Sequence, residues 1–404
     1  MNVRILKLVL TATALAAVAL SLNCSKKSLN SPELSPNPFL LSRKAVILDT
    51  IPWPSFRGDP AMDGVALSAL PDNLTLLWST DLHSTIEGAA AIADGRVYVG
   101  TADNGLVALN LDTGKILWKA PDNAPITASP LSAYGKVYAG DMMGLFTAVY
   151  ADNGAVAWTF KTGAKVVSSA NAADNAVLVG SYDAVLYCLD PKTGDVKWQF
   201  TTGGPVHATP SVVNGSATVA GCDEVIRLID LKTGEQSGSM PAGSNIAATP
   251  AARGDMVVVA TVAAGVVCVN TKTLTEVWRY QPQMGGEFRA SAAFAPDAVI
   301  YASRDGTVSC VNPSDGKERW RFDVPGSLDS SPVVAGNRVF FGCTDGRLYA
   351  VSLSDGKEAW TYTIGSPILA APAIGCNRLV IGTTDGSVFC FGAKAPAAKA
   401  VTTN

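Results

Sequence analysis

Histidine, the side chain that most often serves as a general acid–base or a metal ligand, is scarce in this sequence. Only His83 and His207 occur among its 404 residues. His207 lies in Pro205-Val206-His207-Ala208-Thr209-Pro210, where it could bind a ligand or serve as an ordinary polar side chain. No group of histidine and cysteine residues has the spacing of metal ligands. We therefore predict no catalytic residue, no metal site and no bound cofactor.

Charged side chains are also few, at 16% of the sequence, and the net charge is −3. Binding of nucleic acid needs a concentrated basic surface, and no run of lysine and arginine follows residue 27. We therefore predict no nucleic-acid partner. Hydrophobic residues reach 48%, and 37 glycines and 23 prolines are present, which favours a β-rich fold with large buried faces.

The N-terminus has the features of an export signal. Two basic residues, Arg4 and Lys7, precede an apolar run over residues 8–20. This run is too short to span a bilayer as a stable helix. We therefore predict a signal peptide over residues 1–23.

Cys24 is the candidate for lipid attachment, because its surroundings resemble a bacterial lipobox. Ser21 and Asn23 depart from the residues that a lipobox prefers, so simple cleavage after Ala17-Val18-Ala19 is the alternative. Residues 24–50 are rich in serine, proline and asparagine, which is typical of a flexible tether. We predict a folded body attached to a membrane through lipidated Cys24.

Tryptophan reveals an internal repeat. Most successive positions of the series are 40 residues apart, and one pair is separated by 42. The tryptophans of the series, all predicted to be structural docking residues, are Trp78, Trp118, Trp158, Trp198, Trp278, Trp320 and Trp360. Position 238 belongs to the same series but holds glycine. A period near 40 with strand-like content predicts a β-propeller, in which each repeat forms one four-stranded blade.

The unit that ends near Trp360 shows the four strands. They are predicted over residues 330–334, 338–342, 347–351 and 357–362. Asp345-Gly346 fits a tight hairpin turn between the second and third strands, because both residues tolerate positive φ. The same pattern recurs in the other units, with His207 on a first strand, nearest the central channel.

Two further positions keep register with the tryptophan. From position 118 onward, glycine stands four residues before it, with Leu274 as the exception, and a small residue stands ten before it, with Leu228 as the exception. We predict that these residues let the indole pack flat against the adjoining blade. The small residue is alanine or one of four cysteines: Cys188, Cys268, Cys310 and Cys390. Equivalent sites in neighbouring blades lie too far apart for disulfides, so we interpret these cysteines as buried replacements for alanine.

The number of blades follows from the number of units. Seven complete units end at positions 118, 158, 198, 238, 278, 320 and 360, and three further strands follow between residues 364 and 391. Residues 74–78 supply a fourth strand, which we predict to pair with residues 387–391 and close the ring. The predicted fold is an all-β, eight-bladed β-propeller over residues 51–393, with a disordered tail over residues 394–404.

The repeat resembles the tryptophan-docking motif of quinoprotein-like propellers, which is an alanine ten residues before the tryptophan with Thr-Gly between them. This resemblance raises an enzyme alternative, because dehydrogenases that use pyrroloquinoline quinone have such blades. Those enzymes need a calcium with carboxylate and amide ligands, a catalytic aspartate, two adjacent cysteines and long insertions around the cofactor. The sequence has no adjacent cysteines. Its strands and tight turns account for nearly all of each unit of 40 to 42 residues, so no insertion is left to cover a cofactor. We therefore keep the quinone enzyme as an alternative only.

The export signal, the tether and eight blades with few insertions resemble the BamB family, the propeller lipoproteins of the outer-membrane β-barrel assembly machinery. Residues 53–60 are also similar to a segment that precedes such propellers in many secreted bacterial proteins. The resemblance implies a monomeric, non-catalytic scaffold, anchored to the outer membrane and facing the periplasm. It implies the periplasmic part of the barrel subunit as protein partner. The alternatives are a secreted ligand-binding or sensing propeller, and a soluble periplasmic or cell-surface location.

The same resemblance points to a partner-binding surface. In the BamB family the partner is contacted through the starts of first strands and through loops of neighbouring blades. The residues here that match these places in position, although not in identity, are Glu287, Phe288, Arg289, Leu328 and Asp329.

Overall fold

A computed structural model describes residues 50–120, 124–281 and 286–393. The predicted signal peptide, Cys24, nearly all of the predicted tether and the predicted tail lie outside these ranges. All regular elements within them are β-strands, which form eight sheets. None of the described residues belongs to a helix that is long and apolar enough to cross a membrane.

The strands follow one another along the chain as successive blades. Two strands precede blade 1: β1 (Val65–Ala66) and β2 (Thr75–Asp81). Blade 1 contains β3 (Ala91–Ala93), β4 (Arg96–Gly100), β5 (Leu106–Asn110) and β6 (Ile116–Ala120). Blade 2 contains β7 (Leu131–Ala133), β8 (Lys136–Gly140), β9 (Leu145–Tyr150) and β10 (Val156–Lys161). Blade 3 contains β11 (Asn171–Ala173), β12 (Ala176–Gly180), β13 (Val185–Leu189) and β14 (Val196–Thr201). Blade 4 contains β15 (Ser211–Val213), β16 (Ser216–Ala220), β17 (Val225–Asp230) and β18 (Gln236–Pro241).

Blades 5 to 8 repeat this arrangement. Blade 5 contains β19 (Ala251–Arg253), β20 (Met256–Ala260), β21 (Val266–Asn270) and β22 (Thr275–Tyr280). Blade 6 contains β23 (Ala293–Ala295), β24 (Ala298–Ala302), β25 (Thr307–Val311) and β26 (Glu318–Asp323). Blade 7 contains β27 (Val333–Ala335), β28 (Arg338–Gly342), β29 (Arg347–Ser352) and β30 (Glu358–Thr363). Blade 8 contains β31 (Ala373–Gly375), β32 (Arg378–Gly382) and β33 (Ser387–Gly392).

Blade 8 is completed by a strand from the other end of the chain, as the sequence predicts. β2 pairs antiparallel with β33, and Trp78 lies opposite Cys390. The short strand β1 pairs parallel with β27 of blade 7. The innermost strands of neighbouring blades contact one another around the ring. The predicted eight-bladed propeller with this closure is confirmed.

The tryptophans join neighbouring blades through a repeated contact. Trp118 donates from Nε1 to the carbonyl oxygen of Ala151 in blade 2 at 3.1 Å. Its ring covers Gly154 of that blade, where an added Cβ would lie 2.6 Å from the indole. Ala108, the small residue ten positions earlier, lies opposite Trp118 across its own blade. The glycine of one unit thus packs under the indole of the preceding unit, which the sequence alone does not reveal.

The same indole N–H bond occurs at five further junctions, made by Trp78, Trp158, Trp198, Trp278 and Trp320. At the junction of blades 7 and 8, Trp360 instead packs edge-on against Phe391, with ring centroids 5.6 Å apart. The four cysteines at the small-residue position lie opposite a tryptophan, as Cys188 does opposite Trp198. Their burial agrees with the interpretation that they replace alanine.

The junction between blades 4 and 5 differs from the others. Gly238 stands at the tryptophan position, and Leu274 of blade 5 stands at the glycine position. The Leu274 side chain covers Gly238, where an added Cβ would lie 2.9 Å from it. Leu274 keeps a positive φ of 56°, which glycine adopts at this turn in other units. The exceptions at Gly238 and Leu274 are therefore one exchange, in which the large and the small residue have changed blades, and the third exception, Leu228, lies opposite Gly238 within blade 4.

The N-terminal segment 51–64, which we call the plug, crosses the inside of the ring. Its carbonyl oxygens accept main-chain N–H groups from the inner edge of seven blades, at Ile92, Ser132, Val212, Ala252, Phe294, Val334 and Cys376. Blade 3 joins through its Asn171 side chain, which donates to the Pro60 carbonyl at 2.8 Å. The plug includes residues 53–60, the segment similar to one that precedes other propellers.

Candidate functional site

The central channel is lined in register by residues from every blade. The outer level, which we call the mouth ring, consists of Glu87, Thr127, Val167, His207, Ala247, Arg289, Asp329 and Leu369. Two residues further along each blade lies the hydroxyl ring, which consists of Ala89, Ser129, Ser169, Thr209, Thr249, Ser291, Ser331 and Ala371. Phe56 of the plug lines the same cavity and forms its floor. The channel is therefore a cup with a volume of about 170 Å³.

The plug holds its place beneath the cup through a buried arginine. Arg57 is 1% exposed and donates from Nη2 to the carbonyl oxygen of Ala292 at 2.8 Å. Burial lowers the pKa of Arg57 to about 10, although Asp63 and Asp59 oppose this change. Gly64 has a φ of 68°, and a Cβ there would overlap the guanidinium group. The plug therefore packs closely around the Arg57 side chain, and glycine is needed at position 64 to make room for it.

A second charged contact ties the plug to blade 5. Arg253 donates from Nη2 to Asp63 Oδ2 at 2.5 Å. Burial, followed by the nearby Asp59 carboxylate, nevertheless raises the pKa of Asp63 to about 6. The charge of Asp63 is thus compensated by Arg253 of blade 5, whereas the Nε and Nη1 atoms of buried Arg57 have no hydrogen-bond partner among the described residues.

Three of the predicted partner-binding residues meet at the channel mouth. Arg304 joins them, donating to both Asp329 oxygens at 2.8 and 3.2 Å and to Glu287 at 3.1 Å. Arg289 donates from Nε to Glu287 at 2.5 Å. Hydrogen bonds from Arg289 and then Arg304 lower the pKa of Glu287, and those with Asp329 and then Glu287 raise the pKa of Arg304. These four residues, which we call the rim network, connect blades 6 and 7.

Arg304 was missed by sequence reasoning. It stands beside the Asp305-Gly306 hairpin of blade 6, and such turn positions carry no separate signal for a surface contact. Its importance appears only when the fold brings it between Glu287 and Asp329.

The other two predicted partner-binding residues lie beneath the surface. Phe288 is 2% exposed and packs edge-on against Tyr280 and Tyr301. Leu328 is fully buried in the core shared by blades 6 and 7. Both side chains are buried beneath the rim network, so neither presents surface that a partner could contact.

His207 lines the mouth of the channel. It precedes β15 by four residues and does not lie on that strand, which corrects the sequence prediction. Its Nδ1 is 2.6 Å from the hydroxyl oxygen of Tyr182, and the Lys165 ammonium lies 4.3 Å from the centre of the Tyr182 ring. Burial, and then the nearby charges of Arg289 and Lys165, lower the pKa of His207. This direction favours the neutral form of the imidazole. The second histidine, His83, lies at the surface, 84% exposed.

The comparison with solved structures shows the same fold in several proteins. BamB from Moraxella catarrhalis is 20% identical over 80% of this chain and 99% of that chain, with a TM-score of 0.69. The computationally designed Ika8 protein is 19% identical over 79% of this chain and 99% of that chain, with a TM-score of 0.71. Quinohemoprotein alcohol dehydrogenase from Comamonas testosteroni is 16% identical over 86% of this chain and 81% of that chain, with a TM-score of 0.74. At such identities the likeness shows the fold alone.

The family is shown by a different comparison. No curated protein matches the chain significantly. The sequence profile described as outer membrane protein assembly factor BamB matches residues 65–174, 142–281 and 264–395. Because these matches together span nearly the whole propeller, the chain belongs to the family of the outer membrane protein assembly factor BamB.

Proposed function

We propose that this chain is a non-catalytic scaffold that binds a protein partner on the periplasmic side of the outer membrane. The observation that carries the proposal is the rim network, which presents ionic groups from two blades at one face of a closed ring. Membership of the BamB family supports a role in the assembly of β-barrel proteins. The partner in this proposal is the periplasmic part of the barrel subunit. Lipid attached to Cys24 would hold the scaffold at the membrane.

The rim network suits recognition by charge. The side chains of Arg289 and Arg304 are 51% and 37% exposed, and ion pairs with Glu287 and Asp329 fix the positions of these two arginines. Exposed ion pairs at the edge of an interface mainly affect encounter and specificity, and contribute modestly to affinity. The rigid blades beneath keep these groups ordered before a partner binds, which reduces the entropy lost on binding.

The quinone-enzyme alternative fits the channel poorly. The cup of about 170 Å³ is smaller than the ~300–1,000 Å³ of pockets that enclose larger ligands. Only two carboxylates belong to the mouth ring, Glu87 and Asp329, and Asp329 is already bonded to Arg304. Among the described residues, no group of three or more histidine, cysteine or acidic side chains is arranged to hold a metal ion. These residues do not fit a quinone with its calcium ion.

A capture experiment tests the scaffold proposal. The mature chain is immobilised, and retention of the periplasmic domain of the barrel subunit from the same organism is measured. We expect Arg289→Glu to weaken retention by roughly 2- to 10-fold without lowering Tm, because the variant reverses a charge at the rim. Arg319→Glu is the matched control, since Arg319 lies on β26, the outer strand of the same blade, and pairs with Asp297 in the turn between β23 and β24.

Two results would overturn the proposal. One is equal loss of retention in the two variants, and the other is no retention by the unchanged chain. A rise in Tm with pyrroloquinoline quinone plus calcium would favour the enzyme alternative instead, because a ligand that binds only the folded state stabilises it.

A further inference from the structure

The hydroxyl ring contains hydrogen-bond donors that the protein does not use. Five of its side chains accept a main-chain N–H group from the preceding blade, at 2.9–3.1 Å: Ser129, Ser169, Thr249, Ser291 and Ser331. A hydroxyl group that accepts one bond still has a hydrogen to donate. None of these five hydroxyl groups donates to an acceptor among the described residues.

These hydroxyl groups face a confined space. All five side chains are between 3% and 7% exposed, and all line the cup above Phe56. Thr209 lines it as well, so hydroxyl groups surround the cavity from blade 2 to blade 7. Because the oxygens already accept N–H groups from the neighbouring blades, the remaining hydrogens are left for a partner inside the cup.

The mouth above the ring adds positive charge on one side. Lys165 and Arg289 both lie near His207; Arg289 is paired with Glu287, whereas Lys165 forms no ion pair with a described residue. If Tyr182 donates to Nδ1 of His207, the neutral imidazole carries its proton on Nε2 and becomes another donor. Of the two acids in the mouth ring, Asp329 is bonded to Arg304 and Glu87 is exposed to solvent.

We propose that the channel binds a small oxyanion at the hydroxyl ring. A set of converging donors near the unpaired ammonium group of Lys165 complements an anion, because hydrogen bonds to a charged acceptor are stronger than hydrogen bonds to neutral water. The volume of about 170 Å³ corresponds to roughly six waters of ~30 Å³ each, which suits phosphate or acetate. Phosphate and carboxylate share the acceptor chemistry that the ring recognises, and experiment distinguishes the two. This site is independent of the scaffold role.

Isothermal titration calorimetry on the mature chain tests the proposal, with sodium phosphate and sodium acetate as ligands. Sodium chloride at equal ionic strength serves as the control ligand. We expect one saturable site for at least one of the two oxyanions. The double variant Thr249→Val/Ser291→Ala should weaken binding by about tenfold or more, since it removes two donors to a charged group. The repeat already carries alanine at the equivalent Ala89 and Ala371.

Ser168→Ala is the matched control variant. Ser168 donates across the blade junction to the Ala208 carbonyl at 3.1 Å, but its hydroxyl group does not line the cup. This variant loses a bond between blades and keeps every channel hydroxyl, so it should bind the anion as the unchanged chain does. Weakening of equal size in Ser168→Ala and in the double variant would overturn the proposal.

Crystals of the unchanged chain provide a second test that does not depend on a variant folding. After soaking in selenate, an anomalous selenium peak is expected between Phe56 and the level of His207. Absence of saturable heat with both phosphate and acetate would overturn the proposal, and so would absence of a selenate peak in a chain that gives saturable heat with phosphate. Heat with only one of them supports it and identifies the class of oxyanion. Capture of the protein partner should be unchanged in Thr249→Val/Ser291→Ala, so the two proposals can fail separately.

Discussion

At the junction of blades 1 and 2 a tryptophan of the first blade covers a glycine of the second, and at the junction of blades 4 and 5 the arrangement is reversed. Trp118 lies over Gly154, whereas Leu274 lies over Gly238 from the opposite side. Both junctions fill the same gap with one large and one small residue. Only the first includes an indole N–H bond across the blades, from Trp118 to Ala151. The comparison indicates that filling the gap is essential at a junction, while the hydrogen bond adds stability to it.

The largest expected effect is at the regular junction. Trp118→Ala removes a buried ring and its bond, and should lower the free energy of unfolding by about 3–5 kcal/mol in urea titrations. Leu274→Ala should cost less than about 2 kcal/mol, because Leu274 is 38% exposed and makes no such bond. Equal losses in the two variants would remove the distinction between the junctions.

The second effect isolates the small partner. Gly154 and Gly135 have nearly the same φ, 74° and 70°, but an added Cβ meets Trp118 at Gly154 and no atom within 4 Å at Gly135. Alanine at either position should cost about 1 kcal/mol in backbone strain. Gly154→Ala should cost a further ~1–3 kcal/mol, because it overfills the junction. Urea unfolding of both variants measures the difference, and similar losses would show that the indole tolerates the extra group.

The smallest effect tests the exchange itself. Gly238→Trp should destabilise the chain, because the new ring would overlap Leu274. The double variant Gly238→Trp/Leu274→Gly returns the large and the small residue to their usual blades, with Leu228 still opposite the new ring, and should recover part of that loss. A double-mutant cycle should then give a favourable coupling of about 0.5–3 kcal/mol between the two positions. Additive effects would mean that these residues do not act as a pair.

The architecture was predictable because the same residues recur at a nearly constant spacing in every blade, so each unit indicates the same four strands. The tryptophan spacing alone determined the blade number, and residues 74–78 were the one strand available to complete blade 8. The inner end of each blade was predicted less well. Residues such as His207 precede their strand, because side-chain hydroxyl groups, and not strand pairing, hold this part of each blade to the next.

The site could be predicted only in part. A resemblance of position pointed to Glu287, Arg289 and Asp329, which the structure brings together at the channel mouth, whereas Phe288 and Leu328 alternate with them and face the core. The plug had no local pattern that indicates its place. Its main contacts, such as the bond from Arg57 to Ala292, join residues 235 positions apart. Such contacts depend on the closed ring and cannot be inferred from short segments.

The position of the plug also constrains the order in which the chain can fold. Residues 51–64 are synthesised before any blade, yet they form hydrogen bonds with the inner edges of blades 1 through 8. Likewise, β2 can pair only after β33 has been synthesised. Contacts between distant residues require long loops to close first, which slows folding. We therefore expect residues 51–64 to be synthesised before the blades but to be among the last residues to become ordered. A chain that stops before blade 8 would leave them without their final partners, so premature termination should yield a protease-sensitive product.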